Sequence, residues 1–81
     1  MESQEIEHEL DLVAAEAKEI CGSEKEDVMI MQRIRRWMEK RISSAFGDQV
    51  IVGQIEYRPA REEILVYIHD YLNQRLHVLR F

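Results

Sequence analysis

The sequence contains few of the residues that usually stabilise or specialise a small protein. Its 81 residues include one cysteine, Cys21, one proline, Pro59, and three glycines. A single cysteine excludes an intrachain disulfide and, with no signal-peptide pattern, favours a reducing, cytoplasmic setting. No apolar run approaches the ~20 residues that a membrane-spanning helix needs. No glycine-rich phosphate-binding loop is present.

The shortness of the chain limits how much surface it can bury. We expect one domain over residues 1–81, burying roughly 60–65% of the surface that the unfolded chain exposes. Without a disulfide or a metal site, self-association is the usual additional source of burial. The length therefore favours a homo-oligomer, most simply a dimer.

Charge is distributed unevenly within a net charge of −5. Residues 1–27 carry ten acidic and two basic side chains, whereas residues 28–81 carry six acidic and nine basic ones. Such a division indicates either a polyanion-binding half or two segments that pair with each other. We favour the second interpretation.

Two helices are predicted, over about 4–21 and 24–45. Ser3 is a suitable N-cap for the first, and Ser23 with Glu26 forms a capping-box pattern for the second. Gly22 and Gly47 follow their ends, and the short connection favours an antiparallel αα-hairpin. Apolar residues recur at helical spacing: Ile6, Leu10, Val13, Ala17 and Ile20 in the first helix, and Ile30, Ile34, Trp37, Met38, Ile42 and Ala45, broadened by Val28 and Met31, in the second.

Three strands are predicted over about 49–57, 63–70 and 75–81, because these short runs are rich in β-branched and aromatic residues. Pro59 lies in the first turn, where it breaks no ladder. The predicted fold is α+β: an αα-hairpin packed on a three-stranded antiparallel meander. The alternative is a helix over 59–81, but it would leave the first strand unpaired.

Both faces of the predicted sheet are apolar. Strict alternation puts one set of side chains on one face: Val50, Val52, Ile64, Val66 and Ile68. Two short-linked helices can cover that face, which leaves the other face as a contact surface for a second copy or a partner. The parity of the third strand depends on its turn and stays open. The predicted interface residues are Ile51, Ile55, Tyr57, Leu65 and Tyr67, with His69 on the same face.

Catalytic and metal chemistry have little support in the sequence. Cys21 lies at a helix C-terminus, where the dipole disfavours a thiolate, so a buried structural thiol is expected. Glu62 and Glu63 have the character of surface acids. His69, His77 and Asp70 could meet across the second hairpin, but no fourth zinc ligand is evident. We expect no enzyme, no cofactor and no metal.

One basic run on the second helix is compatible with nucleic-acid binding. It places several cations over two turns around Trp37. The acidic total and the acidic neighbouring helix favour a solvated or internally paired face instead. The residues of the run are Arg33, Arg35, Arg36, Lys40 and Arg41.

The order of two helices and antiparallel strands, with Val52-Gly53 in the first strand, is similar in outline to dynein light chains. Gln54–Pro59 replaces the aromatic and Thr/His-bearing stretch that this family places after its Val-Gly. The resemblance covers topology over about half the chain, and no functional residue is carried over from it.

The sequence thus predicts a small non-enzymatic module for protein–protein contacts, an adaptor, regulator or assembly factor acting as a homodimer with an unidentified protein partner. The alternative is a nucleic-acid-associated regulator that uses the basic run. No membrane association is expected.

Overall fold

The computed structural model describes residues 3–81, with side chains from residue 5 onward. The helices are α1 (Ser3–Cys21) and α2 (Val28–Phe46), and a 3-10 turn (Gly47–Gln49) leads into the sheet. The strands are β1 (Val50–Arg58), β2 (Glu63–Asp70) and β3 (Arg75–Arg80). The predicted α+β arrangement is confirmed, and the alternative helix over 59–81 is wrong. Within residues 3–81, neither helix has the length and apolar character that crossing a bilayer requires.

The buried stripe of α1 differs from the predicted one at its end. Ile20 is 39% exposed, and Cys21 is buried in its place. At 100° per residue, Ile20 and Cys21 lie about equally far from the centre of the stripe on its two sides, and the structure buries the Cys21 side. The predicted Ser3 cap involves a side chain outside the described ones. The stripe is Ile6, Leu10, Val13, Ala17 and Cys21.

Helix α2 begins four residues later than predicted. Asp27 is its N-cap, and its carboxylate accepts a 2.8 Å hydrogen bond from the backbone N–H of Met29. The Ser23/Glu26 capping box is therefore wrong, and the intervening residues form a loop. Val28, at the first turn, is 64% exposed rather than part of the apolar face. The fully buried residues of α2 are Ile34, Met38 and Ile42.

The two helices pack antiparallel on the same side of the sheet. Arg41 near the end of α2 pairs with Glu9 at 2.7 Å and with Glu16 at 3.5 Å, both on α1. The hydrogen bond from Arg41 to Glu9 raises the pKa of the guanidinium. Helix α2 lies against β1, and α1 lies against β3. The expected pairing of acidic and basic segments is confirmed for Arg41.

The sheet is antiparallel in the order β1-β2-β3. Its helix-facing side chains form one apolar cluster with the buried stripes of both helices. The parity of β3 is settled by pairing of Leu79 with Val66, which turns Leu79 and Phe81 toward the helices. Buried members from the strands are Val50, Val52, Ile64, Val66, Ile68 and Leu79, with Phe81 directly after β3.

A β-bulge interrupts β1 at Gly53 and Gln54. Val52 pairs with Ile68, and Ile55 pairs with Val66, so two residues of β1 oppose one residue of β2. The extra residue reverses the alternation after it. Ile55 and Tyr57 consequently pack against the helix-facing core. Their predicted place on the opposite face is wrong.

Candidate interaction surface

The face of the sheet turned away from the helices is here called the outer sheet face. The register places its members in rows that cross the three strands. One end of the face is mainly apolar and the other is charged. The apolar end consists of Ile51, His69, Leu76, Tyr67 and Val78, and the charged end consists of Glu56, Arg80, Arg58 and Glu63, with Leu65 between them.

Three apolar side chains of this face are exposed. Ile51 is 47%, Leu76 is 55% and Val78 is 41% exposed. Leu65 is only 2% exposed, although it is not part of the core beneath the helices. Its cross-strand neighbours are Glu56 and Arg80. Of the predicted interface residues, the structure therefore keeps Ile51, Leu65 and Tyr67 together and separates Ile55 and Tyr57 from them.

The bulge brings the His69 ring onto the backbone of β1. A Cβ atom at Gly53 would lie 2.7 Å from His69 Nε2 and 3.0 Å from the carbonyl oxygen of Tyr67. The imidazole also stacks on Tyr71, with ring centroids 6.2 Å apart and an interplanar angle of 16°. Glycine at position 53 thus lets an aromatic group cover the strand.

A carboxylate anchors the polar part of the outer sheet face. The Tyr67 hydroxyl donates a 3.1 Å hydrogen bond to Glu56 Oε1, and Arg58 Nη2 donates one of 3.3 Å to the same atom. Through Glu56, Tyr67 of the apolar end is thereby linked to the charged end.

A buried carboxylate lies on the opposite, helix-facing side. Asp70 is 1% exposed and accepts hydrogen bonds from the backbone N–H and the Nδ2 of Asn73 at 3.1 and 3.0 Å. His77 Nε2 lies 3.0 Å from Asp70 Oδ2. Burial raises the pKa of Asp70, but the hydrogen bonds from His77 and Asn73 outweigh it and hold that pKa below its ordinary value. The cluster ties the β2–β3 turn together.

The two histidines that could have met across the second hairpin do not come together beside Asp70. His77 lies with Asp70 on the helix-facing side, whereas His69 lies on the outer sheet face. In the part of the chain that the structure describes, no three histidine, cysteine or carboxylate side chains converge on a metal-sized site.

Cys21 is a buried thiol, as predicted. Burial raises its pKa, and the nearby charge of Lys25 reduces that effect. A raised pKa leaves little thiolate at neutral pH, which makes Cys21 a poor nucleophile.

A polar cleft of about 430 Å³ lies between the α1–α2 loop and the β1–β2 turn. Lys25 Nζ spans it, donating a 3.1 Å hydrogen bond to the carbonyl oxygen of Glu62. The cleft holds neither a histidine nor a cysteine. Its lining residues are Gly22, Ser23, Lys25, Glu26, Tyr57 and Glu62.

The basic run on α2 is divided by internal pairing. Arg41 is held by α1, and Arg35 both pairs with Glu39 at 3.6 Å and donates a 2.6 Å hydrogen bond to the Gly53 carbonyl oxygen. Arg33, Arg36 and Lys40 are exposed at spacings of three and four residues, which places them on one side of α2.

The fold and surface define a small α+β protein with two helices on one side of a three-stranded sheet. Comparison of the chain with protein-family models, curated proteins and solved structures finds no match.

Proposed function

We propose that this protein is a non-enzymatic protein–protein interaction module that works as a homodimer formed through the outer sheet face. The observation that carries the proposal is the exposure of Ile51, Leu76 and Val78 on one continuous face. Contiguous exposed apolar side chains on a sheet are candidates for a contact surface.

The charged end of the face supports a second copy as the occupant. Glu56, Leu65 and Arg80 lie in one row, with the acid on β1 and the base on β3. A two-fold axis parallel to β2 exchanges β1 and β3 between the copies. Glu56 then faces Arg80 of the second copy, and Ile51 faces its Leu76. An isologous interface needs this kind of self-complementarity.

The outer sheet face is small for a dimer interface. Three strands about 4.8 Å apart and about 20 Å long present roughly 300 Å². A standard interface buries about 800 Å² per partner. The outer sheet face is smaller than a standard interface, so we expect a weak dimer.

Sedimentation equilibrium over about 5 µM to 1 mM tests the proposal. The wild type is expected to shift from one chain to two, whereas Ile51→Lys stays monomeric because a buried lysine would lose its hydration. Leu12→Lys is the matched control, since Leu12 is 44% exposed on α1, away from the sheet. A wild type that is monomeric at 1 mM, or equal losses in both variants, would refute it.

A second candidate function, nucleic-acid contact, rests on the exposure of Arg33, Arg36 and Lys40 along one side of α2. In that case Arg36→Ala and Lys40→Ala should each reduce the slope of log K against log salt by about 1. The absence of binding to duplex DNA and single-stranded RNA at low salt would remove this candidate.

A further inference from the structure

The two edges of the sheet differ in how well they can accept another strand. The β1 edge is interrupted at its middle by the bulge. There, Arg35 already donates its hydrogen bond to the Gly53 carbonyl oxygen. Bulges and charged side chains at an edge are features that prevent strand addition. The β1 edge is thus obstructed.

The β3 edge is regular over its whole length. Ile64 and Phe81 exchange two backbone hydrogen bonds, of 2.8 and 3.1 Å, and the register continues without a shift to Arg75. Hydrogen-bonding direction alternates along an antiparallel strand. The backbone N–H and C=O groups of Leu76, Val78 and Arg80 therefore point away from β2, toward the open edge.

A groove of about 330 Å³ runs between this edge and α1. A fourth strand beside β3 would have its helix-side residues over α1 and its other residues level with Leu76 and Val78. The groove is lined by Glu7, Leu10, Asp11, Leu76, His77, Val78 and Leu79.

The charges of the groove select its occupant. Glu7 forms an ion pair with Arg75 at 3.3 Å, and the His77 ring contacts the Asp70 carboxylate. Asp11 is exposed and forms no ion pair within residues 5–81. The α1 wall is therefore acidic and favours basic side chains, whereas Leu76 and Val78 favour apolar ones.

A second copy of this chain is a poor occupant. Pairing β3 with β3 of another copy about a two-fold axis would bring the two acidic α1 helices side by side. Glu7 and Asp11 would then face the same acids of the second copy, and like charges in such an arrangement repel.

We propose that the open edge of β3 binds an extended segment of a partner protein, in which lysine or arginine alternates with β-branched residues, as an antiparallel fourth strand. Backbone hydrogen bonds to Leu76, Val78 and Arg80 supply the affinity, and Asp11 with Glu7 supplies the preference for basic residues. The site borders the outer sheet face: it uses the backbone groups of Leu76, Val78 and Arg80 at the open edge, whereas the proposed dimer uses the side chains that these residues present on the face.

The probe is a fluorescent acetyl-Lys-Val-Lys-Val-Lys-Val-Lys amide, with the same peptide carrying Glu for Lys as the charge control. In the bound strand the valine N–H groups point at β3 and the lysine N–H groups point to solvent. N-methylation of the valines is therefore expected to abolish binding, whereas N-methylation of the lysines leaves it within about twofold. These peptide experiments all use the wild-type protein.

Variants of the protein complete the test. Val78→Pro removes one edge donor without affecting the ladder to β2, and should weaken binding about tenfold relative to Val78→Thr. Asp11→Asn should weaken it about two- to fivefold at low salt, and Glu19→Gln, an exposed acid outside the groove, should not. Equal binding of the Lys and Glu peptides, or undiminished binding of the peptide with N-methylated valines, would overturn the proposal.

Discussion

Arg35 Nη2 lies 2.6 Å from the carbonyl oxygen of Gly53, so that a side chain of α2 holds the bulge of β1 in place. The bulge turns Ile55 and Tyr57 toward the helices, where they complete the core. This hydrogen bond between α2 and β1 thus lies at the bulge, where the alternation of buried and exposed side chains along β1 reverses.

Replacement of Gly53 tests the packing of His69 on the bulge. We expect Gly53→Ala to lower the free energy of unfolding by about 1 kcal/mol, because the new methyl group would be 2.7 Å from the imidazole. His69→Ala alone should have little effect, since His69 is exposed. The double variant should recover part of the loss in urea denaturation. Strict additivity of the two changes would argue against this contact.

The buried stripe of α1 can be tested by truncating one large aliphatic side chain inside it and one outside it. Leu10→Ala should lower the free energy of unfolding by ~2–4 kcal/mol, because Leu10 is 1% exposed. Ile20→Ala should cost less, about 1 kcal/mol, since Ile20 is 39% exposed and lies outside the buried cluster. Similar costs at both positions in chemical denaturation would mean that α1 docks in a different rotation.

Asp70 should make the fold sensitive to acid. Its pKa is below the ordinary value in the folded chain, so the unfolded chain binds the proton more tightly. The stabilisation is therefore present at neutral pH and is lost as the pH falls below the ordinary aspartate pKa and through the lower folded-state pKa. Asp70→Asn should lower the free energy of unfolding by about 1–3 kcal/mol at pH 7. It should also flatten the acid limb, which is the fall in that free energy at low pH. Asp48→Asn, at an exposed aspartate, is the control; an unchanged acid limb in Asp70→Asn would contradict the assignment.

The proposed two-fold axis predicts a charge-reversal pattern. Glu56→Arg and Arg80→Glu should each raise the dissociation constant of the dimer about two- to fivefold, because like charges would then meet across the axis. Combining both changes restores opposite charges and should return the constant to within about twofold of the wild type. Sedimentation equilibrium at low salt measures all three. Additive weakening in the double variant would exclude this axis.

The fold could be predicted from the sequence because its periodicities are regular. The stripe Ile6, Leu10, Val13 and Ala17 indicates one buried side of α1, and the alternation in β2 places Ile64, Val66 and Ile68 on one face; the structure confirms both. The start of α2 could not be predicted reliably, because Ser23 and Asp27 are both competent caps. In the structure Asp27 is the cap.

The outer sheet face could be predicted only in part. Alternation gave the correct side for Ile51, Leu65 and Tyr67, which lie before the bulge or on β2. It failed for Ile55 and Tyr57, because a one-residue bulge leaves no periodic trace in so short a strand. Gly53 was the available signal, since an isolated glycine within a strand often marks a bulge or a close approach. The residues of β3 on the outer sheet face could be identified only from the strand register in the structure.

The separation of the outer sheet face from the core also bears on how this protein can diversify. Ile51, Leu76 and Val78 share their strands with core residues but are not part of the core cluster. Substitutions at these positions should therefore cost little stability, while substitutions at core positions of the same strands, such as Val52 and Leu79, should cost more. A descendant of this chain could acquire a new binding specificity in a few substitutions and inherit the scaffold unchanged.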